Sequence, residues 1–411
     1  MLESTSQEIH NVSQAELADN TRDVAVKEDV RLSFWIDFRS LPGSPGFEIH
    51  CWDNGPGVPK ENLVEMMGFG FSTRSALEME TIGQYGLGIK HACMRLAHAA
   101  LIFIKTVEDA HVILMAPEFL KAKEIERILY PTTRFIRDGG ELKIDESDPD
   151  FRRTADNITD YSNLKSLEDI IEVIQEMPNT DTQIIAMKLI LEPCRQLAFT
   201  PNRAMATSPQ VREDYSLRSY LEILYMNTEA EKPRVEMFLR GSIVVPRNPY
   251  AMLCEQVQRF RLEGRQAGHE TPMLGGLHMF AKKRLCTLYT RVGMQLFNTN
   301  GNVGKTIIGV LQADFLTLSR SKTGFMHNAL YSKLNDCIIK DAMRRYHKKM
   351  QSKFSAGVKG GRRALGSVPI HDDEEVISNK ALLEEGACVG HPEGRRQLHE
   401  RGQRRVGAGV L

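Results

Sequence analysis

Two glycine-containing loops in fixed order constrain this chain most. The first, CWDNGPGV (51–58), follows an apolar strand-like run and places the carboxylate of Asp53 just before a tight turn. The second, IGQYGLGIKHACMRL (82–96), leads from glycines into a stretch with helical apolar spacing. Glycine lacks Cβ and tolerates positive φ, so such loops let a backbone approach a ligand closely. The pair predicts a nucleotide pocket assembled from two separate loops.

The second loop predicts the phosphate end of that pocket. Gly83, Gly86 and Gly88 precede a predicted helix over 89–96, whose N-terminal N–H groups and dipole favour an anion. Lys90 adds a positive charge near the helix start. No Gly-Lys-Ser/Thr follows, and the preceding residues are polar, so neither a P-loop nor a dinucleotide-binding fold is indicated. Taken alone, either loop is a weak signal, because many such glycine strings are ordinary turns.

Asp53 and an upstream helix supply the polar groups that hydrolysis of a nucleotide needs. Asp53 can accept a hydrogen bond from an adenine amino group, with Gly55 and Gly57 leaving room for the ring. In QAELADNTRDV, Glu16 and Asn20 are four residues apart and share one face of a predicted helix. A carboxylate there can deprotonate water and an amide oxygen can bind Mg²⁺. On its own, this pair is also compatible with a solvated helix face.

The order of these motifs resembles the MORC (microrchidia) family of the GHKL ATPase superfamily, which includes Hsp90-type chaperones, DNA gyrase B, MutL and histidine kinases. The similar strings are AELADNTRD, CWDNGPGV, FGFSTRS, IGQYGLGIKHACMRLAHAALIFIK, DYSLRSYLEILYM, VEMFLRGSIV, RVGMQLF and GVLQADFLTLSRSKTGF. The resemblance runs from about residue 14 to about residue 347. It implies an α/β fold of the α+β sandwich type. A GHKL (Bergerat) ATPase head, with a mixed sheet covered by helices, would precede an S5-type α/β transducer domain.

The resemblance also implies residue roles. Glu16 matches the general base, Asn20 the Mg²⁺ ligand and Asp53 the adenine anchor, while Lys322 in SRSKTGF matches a lysine inserted toward the γ-phosphate. The segment 69–74 falls where the family has its nucleotide lid. The other ATP-binding residues implied are Gly55, Gly57, Ser72, Thr73, Arg74, Gly83, Gln84, Tyr85, Gly86, Leu87, Gly88, Lys90 and Thr182.

The chain departs from the family pattern in several places. Asp181 precedes Thr182 where the family usually has glycine, and a carboxylate there can crowd or repel a nucleotide. Ile104 stands where threonine is frequent. The stretch before Glu16 is shorter than the family segment that exchanges arms between protomers, and no cysteine tetrad has the spacing of the CW-type zinc finger.

The sequence divides into three predicted parts: an ATPase domain at 1–200, an S5-like transducer domain at 201–350 and a disordered tail at 351–411. Apolar runs predict strands with helices on one face of the sheet, and 118–178 is predicted to be helices joined by loops. An amphipathic helix is predicted over 166–177 and a final helix over 328–349. The predicted strands are FWIDF, EIHCW, ALIFIK, HVILMA and QIIAMKLIL.

The charge balance, the cysteine content and the lack of long apolar runs bear on which partners and which cellular compartment are expected. The chain has 53 basic and 53 acidic residues, so a nucleic-acid surface would have to be a local patch. Seven scattered cysteines suit free thiols in a reducing compartment, and no apolar run or leader predicts a membrane or secretory protein. One basic cluster is typical of a solvated helix end, of a phosphate contact with DNA or of a nuclear import signal. Its members are Arg344, Arg345, His347, Lys348, Lys349, Lys353, Lys359, Arg362 and Arg363.

The resemblance implies a nuclear ATPase that binds Mg-ATP, hydrolyses it slowly and switches a DNA or chromatin clamp in gene silencing. The implied cofactors are ATP and Mg²⁺. The implied partners are DNA or chromatin, silencing factors and a second copy of the chain in an ATP-dependent homodimer. Two alternatives stay open: a nucleotide-gated binding module with negligible turnover, and an Hsp90- or MutL-like enzyme on the same fold.

Overall fold

The computed structural model describes residues 2–41, 47–68, 82, 88–139, 141–178, 180–189, 216–227, 233–249, 276–291, 308–319 and 322–334. The chain divides into two compact units. The first comprises Met1–Thr290 and Thr306–Met326, and the second comprises Arg291–Lys305 and His327–Leu411. The predicted tail and the basic cluster lie outside the described residues.

Described helices alternate with strands along the chain. The helices are α1 (Leu2–Lys27), α2 (Lys60–Met67), α3 (Gly88–Leu96), α4 (Pro117–Ala122), α5 (Phe151–Asp160), α6 (Leu167–Glu176), α7 (Leu217–Glu222) and α8 (Ala329–Lys333). The strands of the first sheet are β1 (Leu32–Ser40), β2 (Phe47–Asp53), β3 (Ala97–Lys105), β4 (Asp109–Met115), β5 (Thr132–Asp138), β6 (Glu141–Ile144), β7 (Asp181–Leu189), β8 (Val235–Leu239) and β9 (Ser242–Val244). A second sheet contains β10 (Gly276–Ala281), β11 (Arg284–Thr290) and β12 (Ile308–Gln312).

The first unit is built on a nine-stranded mixed sheet with the order β6-β5-β4-β3-β7-β2-β1-β8-β9. Strand β8 runs parallel to β1, and the other described neighbours in this sheet are antiparallel. The register places Thr182 between Asp53 and Ile104. The sheet therefore brings the two predicted pocket residues Asp53 and Thr182 side by side. Because β8 and β9 follow residue 200, the sheet crosses the predicted domain boundary, which stays a prediction.

Helices cover both faces of the β6-to-β7 half of this sheet. Along β3, Ile102 and Ile104 join a core with α1 and α3, while Leu101 and Phe103 join a second core with α5 and α6. The prediction of helices on one face was therefore wrong. The continuous apolar run AALIFIK is typical of a strand buried on both faces, because alternation disappears when neither face meets solvent.

The region 118–178 contains a hairpin that the sequence did not predict. Strands β5 and β6 pair antiparallel, and β5 adds to β4 at the edge of the sheet. Thr133 and Phe135 are the fully buried residues of β5, and charged residues occupy much of its outer face. The alternation of apolar and polar residues is therefore weak in the sequence of this strand. The predicted helix over 166–177 is confirmed as α6, where Ser166 accepts the Asp169 N–H as N-cap.

Aromatic packing joins three strands of the first sheet. The rings of Trp35 and Trp52 stack with centroids 5.9 Å apart, and Trp35 stacks on Phe238 at 5.4 Å. These residues belong to β1, β2 and β8. The stack thus ties β8, which is distant in sequence, to the first two strands.

The small sheet has the order β11-β10-β12, with β10 antiparallel to β11 and parallel to β12. In the second unit, α8 begins at the Asn328 cap, whose side chain accepts the Tyr331 N–H at 2.9 Å. The predicted continuation of this helix past residue 334 lies outside the described residues. Within the described part of the chain, no helix is long and apolar enough to cross a membrane.

Candidate active site

One face of α1 carries the polar groups of the site. Glu16, Asp19, Asn20 and Asp23 follow the i, i+3, i+4, i+7 spacing that places side chains along one helical face. The three carboxylates are buried and Asn20 is half-buried. Buried carboxylates require partners, because desolvation of an unpaired charge is strongly unfavourable. Those partners come from residue 82 and from residues beyond 220.

The start of α3 lies directly against this face. A Cβ built on Gly88 would lie 3.1 Å from Glu16 Oε2 and 3.6 Å from Asn20 Oδ1, so a side chain there would crowd the Glu16 carboxylate. Asp23 Oδ1 accepts the Ile82 N–H at 2.7 Å. Helix α1 therefore anchors both described ends of the second glycine loop.

Lys322, about 300 residues later in the chain, contacts the same face of α1. Its Nζ lies 2.9 Å from Glu16 Oε2 and 3.2 Å from Asp19 Oδ2. Burial alone would lower the pKa of Lys322, but the charges of Asp19 and Glu16 outweigh burial and raise it, so the side chain is an ammonium. Sequence reasoning named Lys322 for this position, and its catalytic role stays a prediction.

Sequence reasoning missed Asp19 and its partners Arg284 and Tyr225. Arg284 Nε donates to Asp19 Oδ2 at 2.8 Å, and Tyr225 Oη donates to Asp19 Oδ1 at 3.0 Å. Burial by itself would raise the pKa of Asp19, but Arg284 and Lys322 hold it below its usual range. Helical spacing from Glu16 could have identified Asp19. Arg284 and Tyr225 carry no local signal, because only the tertiary fold brings them to α1.

At the predicted adenine end, Asp53 is held by one hydrogen bond from α1 and one from its own turn. Thr21 Oγ1 donates to Asp53 Oδ2 at 3.2 Å, and the Gly55 N–H donates to Asp53 Oδ1 at 2.8 Å. Burial raises the pKa of Asp53 to about 6. Each carboxylate oxygen can accept a further hydrogen bond, so Asp53 can still receive an exocyclic amine.

Gly57 is required by its backbone and by its neighbour. Its φ is +74°, and a Cβ there would overlap the carbonyl oxygen of Lys105. A non-glycine residue in the left-handed region costs about 1–2 kcal/mol by itself. We expect Gly57→Ala to lower the free energy of unfolding by more than this, because the new Cβ would also overlap the Lys105 carbonyl. Urea denaturation measures this. Gly241→Ala is the matched control, because Gly241 has φ +71° and no atom within 4 Å of its Cβ position. Equal losses in the two variants would contradict the steric argument.

Asp181 is buried beside the predicted pocket floor. Burial and the neighbouring Asp53 carboxylate raise the pKa of Asp181 to about 7, with Lys105 opposing them. Its Oδ1 has no hydrogen-bond partner among the described residues. Lys105 lies opposite it in the register, but the Lys105 ammonium donates to the carbonyls of Ile174 and Met177, both at 2.7 Å.

Replacing Asp181 with asparagine is expected to stabilise the protein as the pH rises. The folded-state pKa lies above the ordinary value of 3.8, so the parent loses stability as pH rises toward and through about 7. Asparagine does not titrate, and its advantage in unfolding free energy should be larger at about pH 8 than at about pH 5. Asp138→Asn, at an exposed carboxylate paired with Lys143, is the control. A pH-independent difference for Asp181→Asn would contradict the prediction.

Other predicted residues are placed differently or lie outside the description. Lys90 Nζ donates to the carbonyls of Met66 and Gly68 at 2.6 and 2.8 Å, at the end of α2, so its phosphate contact stays a prediction. Ile104 is fully buried and faces Thr182 across the strands. The predicted residues outside the described part are Ser72, Thr73, Arg74, Gly83, Gln84, Tyr85, Gly86 and Leu87.

The described residues fit a nucleotide-bound magnesium better than a metal held by protein alone. Among them, no group of three or more His, Cys, Asp or Glu side chains could hold a metal ion. Magnesium in nucleotide sites uses one or two protein oxygens and completes its shell with phosphates and water. Asn20 Oδ1, next to the side-chain-free start of α3, suits that arrangement.

Comparison with known proteins agrees with this geometry. Residues 9–146 match the family model described as histidine kinase-, DNA gyrase B- and HSP90-like ATPase, and residues 215–347 match Morc6 ribosomal protein S5 domain 2-like. Among solved structures, the ATPase region of Saccharomyces cerevisiae topoisomerase II covers 67% of this chain and 62% of its own at 10% identity and a TM-score of 0.34. That likeness is too low to add to the family matches.

Three relatives match more than half of this chain. MORC family CW-type zinc finger protein 3 of Mus musculus is 26% identical over 78% of this chain and 37% of its own length. Protein MICRORCHIDIA 7 of Arabidopsis thaliana is 26% identical over 70% and 46%, and ATPase MORC2 of Homo sapiens is 26% identical over 58% and 23%. The chain thus covers less than half the length of each of these relatives. Both family models in the expected order, together with these relatives, support a MORC GHKL-type ATPase.

Proposed function

We propose that the chain binds Mg-ATP and hydrolyses it slowly, using nucleotide state to switch a nuclear DNA or chromatin clamp in gene silencing. The observation that carries the hydrolytic part is the convergence of Glu16, Asn20 and the start of α3 at Gly88, with Lys322 on the same carboxylate. These are a base, a metal ligand, an anion-favouring helix end and a cation for developing phosphate charge.

In this proposal each side chain has one task. Asn20 would hold Mg²⁺ by its amide oxygen, and the bound ion would supply positive charge against that of the phosphates. Asp53 would orient the adenine, and Glu16 would accept a proton from water. Lys322 stabilises the negative charge that develops on the terminal phosphate.

The switching part rests on the contacts of Lys322 and Arg284 with α1. Both residues come from the predicted transducer region, and both bond carboxylates of the ATPase head. A phosphate that draws Lys322 away from Glu16 and Asp19 would change the contacts between these two regions. Such exchange of ion pairs is a known way to couple ligand state to domain position.

DNA or chromatin binding, nuclear location, silencing factors and an ATP-dependent homodimer are supported by the family assignment. The relatives covered here include a protein named as a CW-type zinc finger protein and one named as an ATPase. The basic cluster at 344–363 is the surface that we propose for phosphate contact with DNA.

The test is Mg-ATP binding by calorimetry and phosphate release by the purified chain, with and without DNA. We expect Asn20→Ala to weaken Mg-ATP binding by about 10- to 100-fold, the value of a lost bond to a charged group. Chelation of Mg²⁺ should lower the ATP affinity of the parent to a level similar to that of Asn20→Ala. It should lower the ATP affinity of the variant little further. Asn157→Ala on α5, against the opposite core, is the matched control. Binding without phosphate release would favour the gated module, and absence of binding would overturn the proposal.

A further inference from the structure

Two buried polar atoms face each other at the Glu16 end of the site. Glu16 Oε1 and Arg284 Nη2 are 4.0 Å apart, beyond hydrogen-bond distance. Neither atom has a hydrogen-bond partner among the described residues, although the two side chains are only 5% and 1% exposed. Buried polar atoms are nearly always satisfied in native proteins. A small group that bridges the two atoms would satisfy both.

The remaining atoms of these two side chains are already engaged. Glu16 Oε2 bonds Lys322 Nζ at 2.9 Å. Arg284 Nε donates to Asp19, and Arg284 Nη1 donates to the carbonyls of Lys322 and Leu285 at 3.0 and 2.9 Å. Oε1 and Nη2 are therefore the atoms directed at a shared partner, held in place by the rest of the cluster.

The hydrogen-bonding character of Glu16 Oε1 and Arg284 Nη2 favours water as the group that bridges them. Arg284 Nη2 is a donor and requires an acceptor, whereas the ionised Glu16 Oε1 is an acceptor and requires a donor. A water molecule about 2.8 Å from each atom supplies both functions. A phosphate oxygen supplies only an acceptor, and the Glu16 carboxylate would repel it.

We propose that Arg284 is a further catalytic residue, which holds the attacking water together with Glu16; this inference rests on the proposed ATPase function. One lone pair of the water accepts from Arg284 Nη2, and one proton passes to Glu16 Oε1. The other lone pair forms the bond to the γ-phosphorus. The bond from that phosphorus to the β–γ bridging oxygen breaks with its electron pair remaining on ADP, so the products are ADP and phosphate.

Arg284→Lys tests this proposal because lysine keeps a cation for Asp19 but lacks the planar fork that supplies Nη2. We expect kcat to fall about 10- to 100-fold, near the effect of removing one preorganised donor, with ATP affinity unchanged within about threefold. Arg22→Lys is the matched control. Arg22 donates to the Lys282 carbonyl at 3.4 Å and lies over the Tyr225 ring, at the same junction between α1 and the later residues.

Transition-state analogues give a readout that does not depend on turnover. ADP with aluminium fluoride retains the in-line water, whereas ADP with beryllium fluoride imitates bound ATP. Arg284→Lys should weaken the aluminium fluoride complex about 10- to 100-fold and leave the beryllium fluoride complex within about threefold. In a Glu16→Gln background, Arg284→Lys should lower kcat by less than about twofold, because the water that the two residues share has already lost its general base.

The outcomes separate the two proposals. A parent that binds ATP without releasing phosphate overturns both slow hydrolysis and the catalytic role of Arg284. Equal weakening of all nucleotide complexes, or losses that add to Glu16→Gln, would make Arg284 structural and overturn the inference. A parent that binds no nucleotide overturns both. If Arg284→Lys does not fold, a parent structure with ADP and aluminium fluoride decides: the in-line water must lie within about 3.2 Å of Nη2 and Oε1.

Discussion

Replacing Glu16 with glutamine is expected to lower ATP turnover by about 10²- to 10⁴-fold, the usual contribution of a positioned general base. Glutamine keeps the size and an oxygen for Lys322, which lies 2.9 Å from Oε2, but it cannot take a proton from water. Nucleotide affinity should change by less than about threefold, because the adenine and metal contacts are assigned to Asp53 and Asn20. Phosphate release and calorimetric binding of ATP measure the two effects separately.

The matched control for this prediction is Glu28→Gln. Glu28 is an exposed glutamate just beyond the end of α1, and its contact is a surface ion pair with Lys27. Its replacement should leave turnover unchanged. Unaltered turnover in Glu16→Gln would remove Glu16 from the chemistry. Equal loss of binding and turnover would indicate that Glu16 acts through the structure of the charge cluster instead.

Asp19→Asn is expected to lower the free energy of unfolding by about 3–5 kcal/mol, as breaking a buried ion pair does. The Asp19 carboxylate is fully buried and accepts from Arg284, Lys322 and Tyr225. Asparagine would leave two buried cations facing one carboxylate, Glu16. Urea denaturation of parent and variant at neutral pH measures the loss.

The same loss should disappear in acid. The folded-state pKa of Asp19 lies below the ordinary 3.8, so its ionised form stabilises the protein above about pH 4 and ceases to do so as the pH falls through the folded pKa. Asp29→Asn is the control: Asp29 also pairs with an arginine, Arg234, at 2.6 Å, but it is 86% exposed. That pair should contribute no more than about 1 kcal/mol. Similar losses in the two variants would contradict the buried-pair argument.

Local chemistry explains why much of the fold could be predicted. Helical spacing identified the face of α1 with Glu16 and Asn20, and apolar runs identified β1, β2, β3, β4 and β7. The hairpin of β5 and β6 was missed because edge strands bury few side chains and keep charges on the outside. The helices that pack on the second face were predicted, but their placement on one face of the sheet was wrong, although an apolar run without alternation is typical of a strand buried on both sides.

Some residues of the candidate site could be predicted from local sequence, and others could not. Local sequence patterns were enough to predict the elements whose chemistry is local: the carboxylate and amide on α1, Asp53 before its glycine turn, and the glycine at the start of α3. The charges that meet at the site depend on the three-dimensional fold. Arg284 reaches Asp19 across 265 residues and Lys322 across 303. Such pairs leave no periodic trace in a sequence, because their proximity depends on how the strands and loops between them pack, and their strength depends on the burial that packing creates.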